Sequence, residues 1–395
     1  MKLAYIDPHP LTHPLPAVMQ IIQTVDAIAA LGVEIELIVP EAGPPHAIRE
    51  VLGRDLDRHA SVRTIPDISR RWWFPFHTNR PFFWRATRHL LLGHFDALLV
   101  RNLKLAGRLL NVNGLPPLFF ETHEIFAQSF LDAHPGTSRT KRNKHARLLA
   151  LEQRVYTRST GLIAITATLA HDIRTQFEAR YPISVAPDGV DLTLAKTARG
   201  RVQPNVSPTL LYLGSLHQWK GIETLIDAMR EVRGATLWIA GGEVQRINEL
   251  ERQAHALGVS ERVRFLGKIP PLRRFELIGE ATICLLPLTY DNIASRYTSP
   301  LKLFEYMAMG KPIIAGDLPS IREVLATERN SLLVPPQDPA ALAAAINRLL
   351  ADPSLAAKLG HTAATDAEAY SWHARAQTIL SQLQHTLAGE AANRT

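Results

Sequence analysis

The chain has 395 residues, more than one compact core usually serves, so two domains are expected. Hydrophobic residues make up 46% and charged residues 21%, and no stretch approaches the ~18 uninterrupted apolar residues of a membrane span. A single cysteine, Cys284, excludes an internal disulfide framework and a multi-cysteine zinc site, while a net charge of +7 favours anionic partners without choosing between phosphates, acidic lipid and nucleic acid.

The amino terminus, MKLAYIDPHP, lacks the apolar run of a signal peptide, so a cytoplasmic, non-integral protein is expected. KLAYID reads as a strand. PLPAVMQIIQTVDAIAALG reads as a helix with its apolar face at Ala17, Ile21, Val25 and Ile28. VEIELIVP, FDALLV, PLFFET, GLIAIT and ISVAP repeat the strand signal, separated by segments of helical period. Thr193–Pro208 is polar, contains Gly and Pro and lacks periodicity, as a linker does. The alternation then restarts with TLLYLG, ATLWIAGG, VRFLG, ATICLLPL, KPIIAGD and NSLLVPP. Apolar strands between helices suit a parallel sheet covered on both faces. The expectation is therefore an α/β protein of two doubly wound, Rossmann-like domains facing across a cleft. Their bounds are 1–192, a linker at 193–208, and 209–370. A closing helix at 371–395 is free, on pattern alone, to pack on either domain. Cys284, inside ATICLLPL, is expected as a buried, inert thiol.

In such sheets ligands sit at the carboxyl ends of strands. Five segments there carry candidate chemistry. In YLGSLHQWKG, Gly214 permits a tight turn and Lys220 opens the next helix, a natural diphosphate clamp, although a turn glycine beside a solvated lysine reads the same way. In WIAGGEV, Gly241 and Gly242 let the backbone approach a ligand or the other domain. In FLGKIP, the main chain at Lys268 and Ile269 can pair with the edge of a planar base. SPLKLFEYMAMGKPIIAG is the most informative: Ser299 and Pro300 resemble an N-cap and first helical position, and Lys302, Glu305 and Tyr306 fall in the first two turns. A carboxylate there can accept two hydrogen bonds from a ribose diol. In ETHEI, His123 and Glu124 follow the strand PLFF, where an acid/base or hydrogen-bonding group belongs, although a lone histidine is more often structural.

These motifs, in this order, resemble the GT-B glycosyltransferases of family 4. YLGSLHQWKGIETLI is similar to the family's GxLxxxKGxxxLI signature, EYMAMGKPI to its donor-binding signature, and PDGVD at 187–191 to the turn before its linker. The resemblance is in motifs from about Gly161 onward and in architecture alone over the first 120 residues. It implies retaining transfer of a sugar from a nucleoside diphosphate donor to an acceptor hydroxyl. On that resemblance Lys220 binds the diphosphate, with Gly214, Ser215, Gly241 and Gly242 around it, and Glu305 binds the ribose. Ile269 sits beside the base, the backbone from Tyr297 through Thr298, Ser299, Pro300 and Leu301 wraps the diphosphate, and His123 contacts the sugar at the reacting centre. The closing helix, from about Trp372, crosses back onto the first domain.

Three positions depart from the family pattern. Ser215 stands where an arginine is frequent, Tyr297 stands where a second glutamate is usual, and the first loop, DPHPLTHPLP, lacks a glycine pair whose role His13 can in part replace. The reaction needs negative charge stabilised on the departing diphosphate, and no first-domain carboxylate is placed as a covalent nucleophile. Front-face transfer follows as the expectation, with no cofactor or obligatory metal and the nucleotide sugar as co-substrate. The acceptor, a glycan or lipid-linked hydroxyl, is expected on the first domain with His13 and Glu124. The stretch at 69–95, with Trp72, Trp73, Phe74, Phe82, Phe83 and Trp84 among arginines, fits either contact with an anionic membrane or core aromatics with a basic edge. A second basic run occupies 138–147. Two further classes compete. A nucleic-acid binder fits the charge but shows no module, so no nucleic-acid partner is expected. A non-catalytic nucleotide-sugar binder keeps the donor motifs, as does a nucleotide-sugar epimerase of the same fold.

Overall fold

The computed structural model describes residues 1–12, 15–44, 46–67, 79–136, 138–179, 181–202, 205–290 and 293–392. The chain divides into two compact units, Met1–Pro187 with Trp372–Thr395, and Asp188–Ser371.

The first unit is built on a parallel sheet of β1 (Lys2–Ile6), β2 (Glu34–Val39), β3 (Ala60–Thr64), β4 (Ala97–Val100), β5 (Leu118–Thr122), β6 (Gly161–Ala164) and β7 (Ile183–Val185), in the order β3-β2-β1-β4-β5-β6-β7. The order reverses between β1 and β4, and that switch point opens at the carboxyl ends of those strands. β3 was not expected: as an edge strand with mostly exposed residues it carries little apolar signal. The helix Pro16–Ala30 is buried over more than the expected stripe. Ala17 is only half-buried, whereas Gln20, Gln23, Thr24 and Asp26 are buried. The cause is a second layer, the closing helix Trp372–Ala392, which packs on Pro16–Ala30, β6 and β7 through Ala376, Ile379 and Leu383.

The second unit holds β8 (Thr209–Leu213), β9 (Thr236–Ala240), β10 (Val263–Gly267), β11 (Ile283–Leu286), β12 (Ile313–Gly316) and β13 (Leu332–Val334), in the order β10-β9-β8-β11-β12-β13, all parallel. Successive strand residues point to opposite faces, so Leu210, Tyr212, Ile283, Leu285 and Ile314 enter one core and Leu211, Cys284, Leu286, Ile313 and Ala315 the other. Cys284 is free and fully buried, and burial pushes its thiol well above the ordinary range. Each fully buried Leu or Ile contributes about 1.5–3 kcal/mol, which explains why these runs read so plainly as strands.

The segment expected as a linker is instead a helix, Leu192–Arg201, within the second unit. The Asp191 carboxylate caps it by accepting from the Leu194 amide, and Leu192, Leu194, Ala195 and Ala198 pack into the second core. The chain passes from one unit to the other at Pro187–Asp188 and again at Ser371–Trp372. Among the described residues no helix is long and apolar enough to cross a membrane.

Candidate functional site

In the second unit the switch point lies between β8 and β11, and the loops leaving β8, β9, β10 and β11 interlock there by backbone contacts. The Gly214 amide donates to Ala240 O at 2.8 Å, and the Gly241 amide to Gly267 O at 2.6 Å. A side chain at Gly241 (φ +116°) would place its Cβ 2.1 Å from Gly214 O, and one at Gly242 would stand 2.3 Å from Leu216. The glycine pair thus serves close approach between neighbouring strand ends. Gly221 (φ +72°) follows Lys220, and a Cβ there would lie 1.8 Å from Pro287 O on the β11 loop. Thr289 closes the same contact, its amide and hydroxyl both donating to Trp219 O. The turn carrying Lys220 is therefore held rigidly against the end of β11.

Lys220 ends a short 3-10 turn, Gln218–Lys220, rather than opening an α-helix, which begins at Ile222 after Gly221. Its Nζ rests 3.4 Å from the centre of the Trp219 ring. Burial pulls its ammonium down to about 7. Ser215 is exposed, and its carbonyl accepts a 2.7 Å hydrogen bond from the Tyr212 hydroxyl.

The helix Leu301–Ala308 supplies the facing groups. Glu305 is buried and pairs with Arg274 of the helix Arg273–Glu280, whose Nε donates to Oε1 at 2.5 Å. The Tyr306 hydroxyl accepts from the Leu213 amide at 3.0 Å, which ties this helix to the last residue of β8. Pro300, extended, is the N-cap and makes no side-chain cap. Ser299 is therefore not the cap; its hydroxyl accepts from the Asp188 amide at 2.9 Å. Thr298 and Ser299 are half-buried, Leu301 begins the helix, and Tyr297 is buried at the end of the helix Ile293–Tyr297, with the Arg296 guanidinium 5.9 Å from its ring. Ile269 packs against the core beneath, two residues beyond Gly267, while Lys268 pairs at 2.6 Å with Glu243 on the surface.

Two residues of this site have no role assigned from sequence: Arg274, which lies outside the five segments, and Lys302, which is named only beside Glu305. Arg274 gives only a weak signal, a basic residue beside the apolar Phe275, Leu277 and Ile278. Lys302 is 7% exposed, and its Nζ lies 3.8 Å from the centre of the Tyr212 ring without a hydrogen-bond partner.

In the first unit, His123 follows β5, and its Nε2 lies 2.6 Å from Oε1 of buried Glu121. The same oxygen accepts from Gln20 at 2.6 Å and from Arg375 of the closing helix at 2.7 Å. Against the desolvation that opposes its charge, Arg375, His123 and Arg101 hold the Glu121 carboxyl well below the ordinary range. Burial and the Arg101 guanidinium hold the His123 imidazole down to about 4, against the pull of Glu121. His123 is thus neutral at pH 7. An ionised carboxylate can only accept, so the proton sits on Nε2 and Nδ1 presents a lone pair. Glu152 fixes this loop: its carboxylate accepts from the Phe126 and Ala127 amides at 2.6 and 2.8 Å, capping the helix Phe126–Ala133. Burial pushes its carboxyl up to about 7. Glu124 is half-buried, and its carbonyl accepts from Thr122 and Tyr156. His13, Trp72, Trp73 and Phe74 lie outside the described residues. Phe82 and Phe83 are core residues of the helix Arg80–Leu92, whereas Trp84 is exposed with Arg85 and Arg88.

Solved structures match this fold over nearly the whole chain. Sucrose-phosphate synthase from Thermosynechococcus elongatus covers 98% of it and 99% of its own length at a TM-score of 0.78 and 21% identity. Anabaena HepE in complex with UDP covers 98% and 100% at 0.73 and 19%. Two parallel sheets of this order with their flanking helices define a GT-B glycosyltransferase fold. The model for Glycosyltransferase Family 4 matches residues 17–194, and that for Glycosyl transferases group 1 matches residues 207–352. The chain belongs to the family 4 glycosyltransferases. Among curated relatives, the D-inositol 3-phosphate glycosyltransferase of Xylanimonas cellulosilytica is 30% identical over 246 residues, 58% of each chain. The glycogen synthase of Mycobacterium tuberculosis is 29% identical over 220 residues, 54% of this chain and 51% of its own. The chain thus spans less than two thirds of the length of these relatives.

Proposed function

We propose that this protein transfers a sugar, with retention of configuration, from a nucleoside diphosphate donor to an acceptor hydroxyl in glycoconjugate synthesis. The observation that carries the reading is Lys220, a desolvated ammonium without an ion pair among the described residues, held at a rigid turn at the switch point of the second sheet. An ammonium so placed suits the charge that grows on a departing diphosphate, because a group already desolvated needs no reorganisation as the bond breaks. Glu305 offers the ribose its second carboxylate oxygen, since Arg274 takes Oε1. Thr298, Ser299 and Leu301 lie along the diphosphate, and Ile269 beside the base. In the first unit, neutral His123 accepts a hydrogen bond from a sugar hydroxyl through Nδ1, while Glu121 fixes its ring. The leaving phosphate takes the acceptor proton on the same face from which the acceptor attacks. Solved HepE complexes hold UDP and UDP-glucose, which makes UDP-sugars the first donors to test.

The exposed face of Trp84, Arg85, Arg88, Leu91 and Leu92 suits an anionic lipid surface near a lipid-linked acceptor. Vesicle binding that is lost with added salt tests that part of the reading.

The experiment is a thermal-shift screen over UDP-, GDP- and ADP-sugars, followed by product analysis with the stabilising donor. A transferred sugar with the donor's anomeric configuration is expected. A stabilising donor that is neither transferred nor hydrolysed would identify a binder, and conversion of the sugar to its epimer would identify an epimerase.

A further inference from the structure

Two ammonium groups lie at the ends of paired strands, Lys302 beside Gly214 after β8 and Lys220 on the turn held against Pro287 after β11. The Lys220 Nζ rests on the Trp219 ring at 3.4 Å, and the Lys302 Nζ on the Tyr212 ring at 3.8 Å. The two are close enough for the charge of one to depress the basicity of the other. Glu305, the carboxylate whose charge acts on Lys302, lies one turn along from it and is paired with Arg274. Lys220, Lys302 and Arg274 against Glu305 leave two basic side chains without a counter-charge among the described residues.

The backbone is fitted to Lys302. A Cβ at Gly214 would stand 2.9 Å from the Lys302 Nζ and 3.7 Å from the Tyr212 hydroxyl, so glycine there leaves the ammonium its place directly under the turn. The Tyr212 hydroxyl in turn holds the carbonyl of Ser215, the next residue of that turn, which is itself uncharged. A buried ammonium with no hydrogen-bond partner is costly, and a ring face offsets only part of that cost. A site that keeps this group close to a second, half-buried ammonium, that of Lys220, is matched to a ligand carrying two negative charges.

We propose that Lys302 is the second cation of the diphosphate site and acts with Lys220 on the donor's two phosphates. This rests on the donor reading above. Its four-carbon stem lets the ammonium pass from the Tyr212 ring to an anion at the turn by rotation of its own side chain. As a mere packing residue, Lys302 would support Tyr212, and its loss would loosen the fold. As a phosphate cation, it weakens the unliganded fold and is repaid on binding.

The test compares the full-length wild type, Lys302→Met and Lys220→Met by thermal denaturation. Calorimetric titration then follows with UDP, GDP and ADP and with uridine, guanosine and adenosine. Lys302→Met is expected to raise the melting temperature of the free protein. It should also weaken the preferred nucleoside diphosphate by about 10- to 100-fold, the range of one charge-assisted hydrogen bond, and leave the matching nucleoside unchanged. Wild-type affinity for the diphosphate in Lys302→Met, with loss in Lys220→Met, overturns the role of Lys302 alone. A lowered melting temperature with parallel loss of nucleoside and diphosphate makes Lys302 structural. A wild type that binds none of the three diphosphates removes the donor reading and this inference with it.

Discussion

The pH dependence of donor binding follows from the position of Lys220. Burial brings its ammonium down to about 7, whereas a diphosphate in contact with it favours the charged form. Below pH 7 the proton is already present. Above it, binding must draw a proton from solvent, at about 1.4 kcal/mol, or tenfold in affinity, for each pH unit. Through Lys220 alone the donor should therefore bind about tenfold more weakly at pH 8 than at pH 6, since its diphosphodiester charge does not change over that range. Lys302, held down by burial and by the charge of Lys220, steepens the fall in the same direction. Stability of the free protein runs the other way. The unfolded chain holds the Lys220 proton more tightly, so this contribution is full above about 10.5 and is lost as pH falls through about 7. Isothermal titration from pH 6 to 8.5, in two buffers of different ionisation enthalpy, measures affinity and proton uptake together. Uptake of about one proton through Lys220, and more through Lys302, is expected at pH 8, and less in Lys220→Met. An affinity flat across that range with no proton taken up would refute the reasoning.

Three further outcomes are expected. Arg274→Met leaves Glu305 buried without its partner and should cost about 3–5 kcal/mol in urea denaturation, most of it recovered when Glu305→Gln is added; equal stability of the two variants would contradict this. Gly221→Ala drives a methyl onto Pro287 O and should prevent folding or lower the melting temperature severely. Gly234→Ala, at a similar φ of +70° but with open space around it, should cost only about 1–2 kcal/mol, and comparable losses at both sites would show that backbone strain alone decides. The His123 ring, held at about 4, should show no titration by NMR between pH 5.5 and 8. Because the unfolded ring takes a proton near 6.5, its contribution to stability is full above that pH and falls away toward pH 4, and a ring titrating near 6.5 in the folded protein would contradict the assignment.

Most strands were legible because burial on both faces leaves a continuous apolar run, as in LLYL of β8 or ICLL of β11. β3 was not, because an edge strand with exposed side chains has no such run. The Leu192–Arg201 helix was missed because polar Lys196, Thr197 and Arg199 interrupt an apolar face of only a few residues, although Asp191 stood in place as its cap. The helix Pro16–Ala30 was legible as a helix but not in its burial. Gln20 and Thr24 are polar by sequence, and they are buried because Glu121 and Arg375, 101 and 351 residues further on, hold them there.

The same distinction separates the two charged residues of the Leu301–Ala308 helix. Glu305 has a role in the signature that the motif resembles, whereas Lys302, one turn earlier in the same segment, has none from sequence. Helical spacing puts both near one face, but spacing says nothing about what faces them. Arg274 meets the carboxylate, whereas the ammonium lies on the Tyr212 ring without a hydrogen-bond partner among the described residues, so one charge is paired and the other is left to act. Tyr306, the neighbour of Glu305, makes this outcome reproducible. By accepting the Leu213 amide it locks the helix to the end of β8, and so sets both charges at fixed distances from the turn that carries Lys220. A chain can therefore exchange the residue at 215 and still keep two cations beside that turn, provided the second reaches it from the helix.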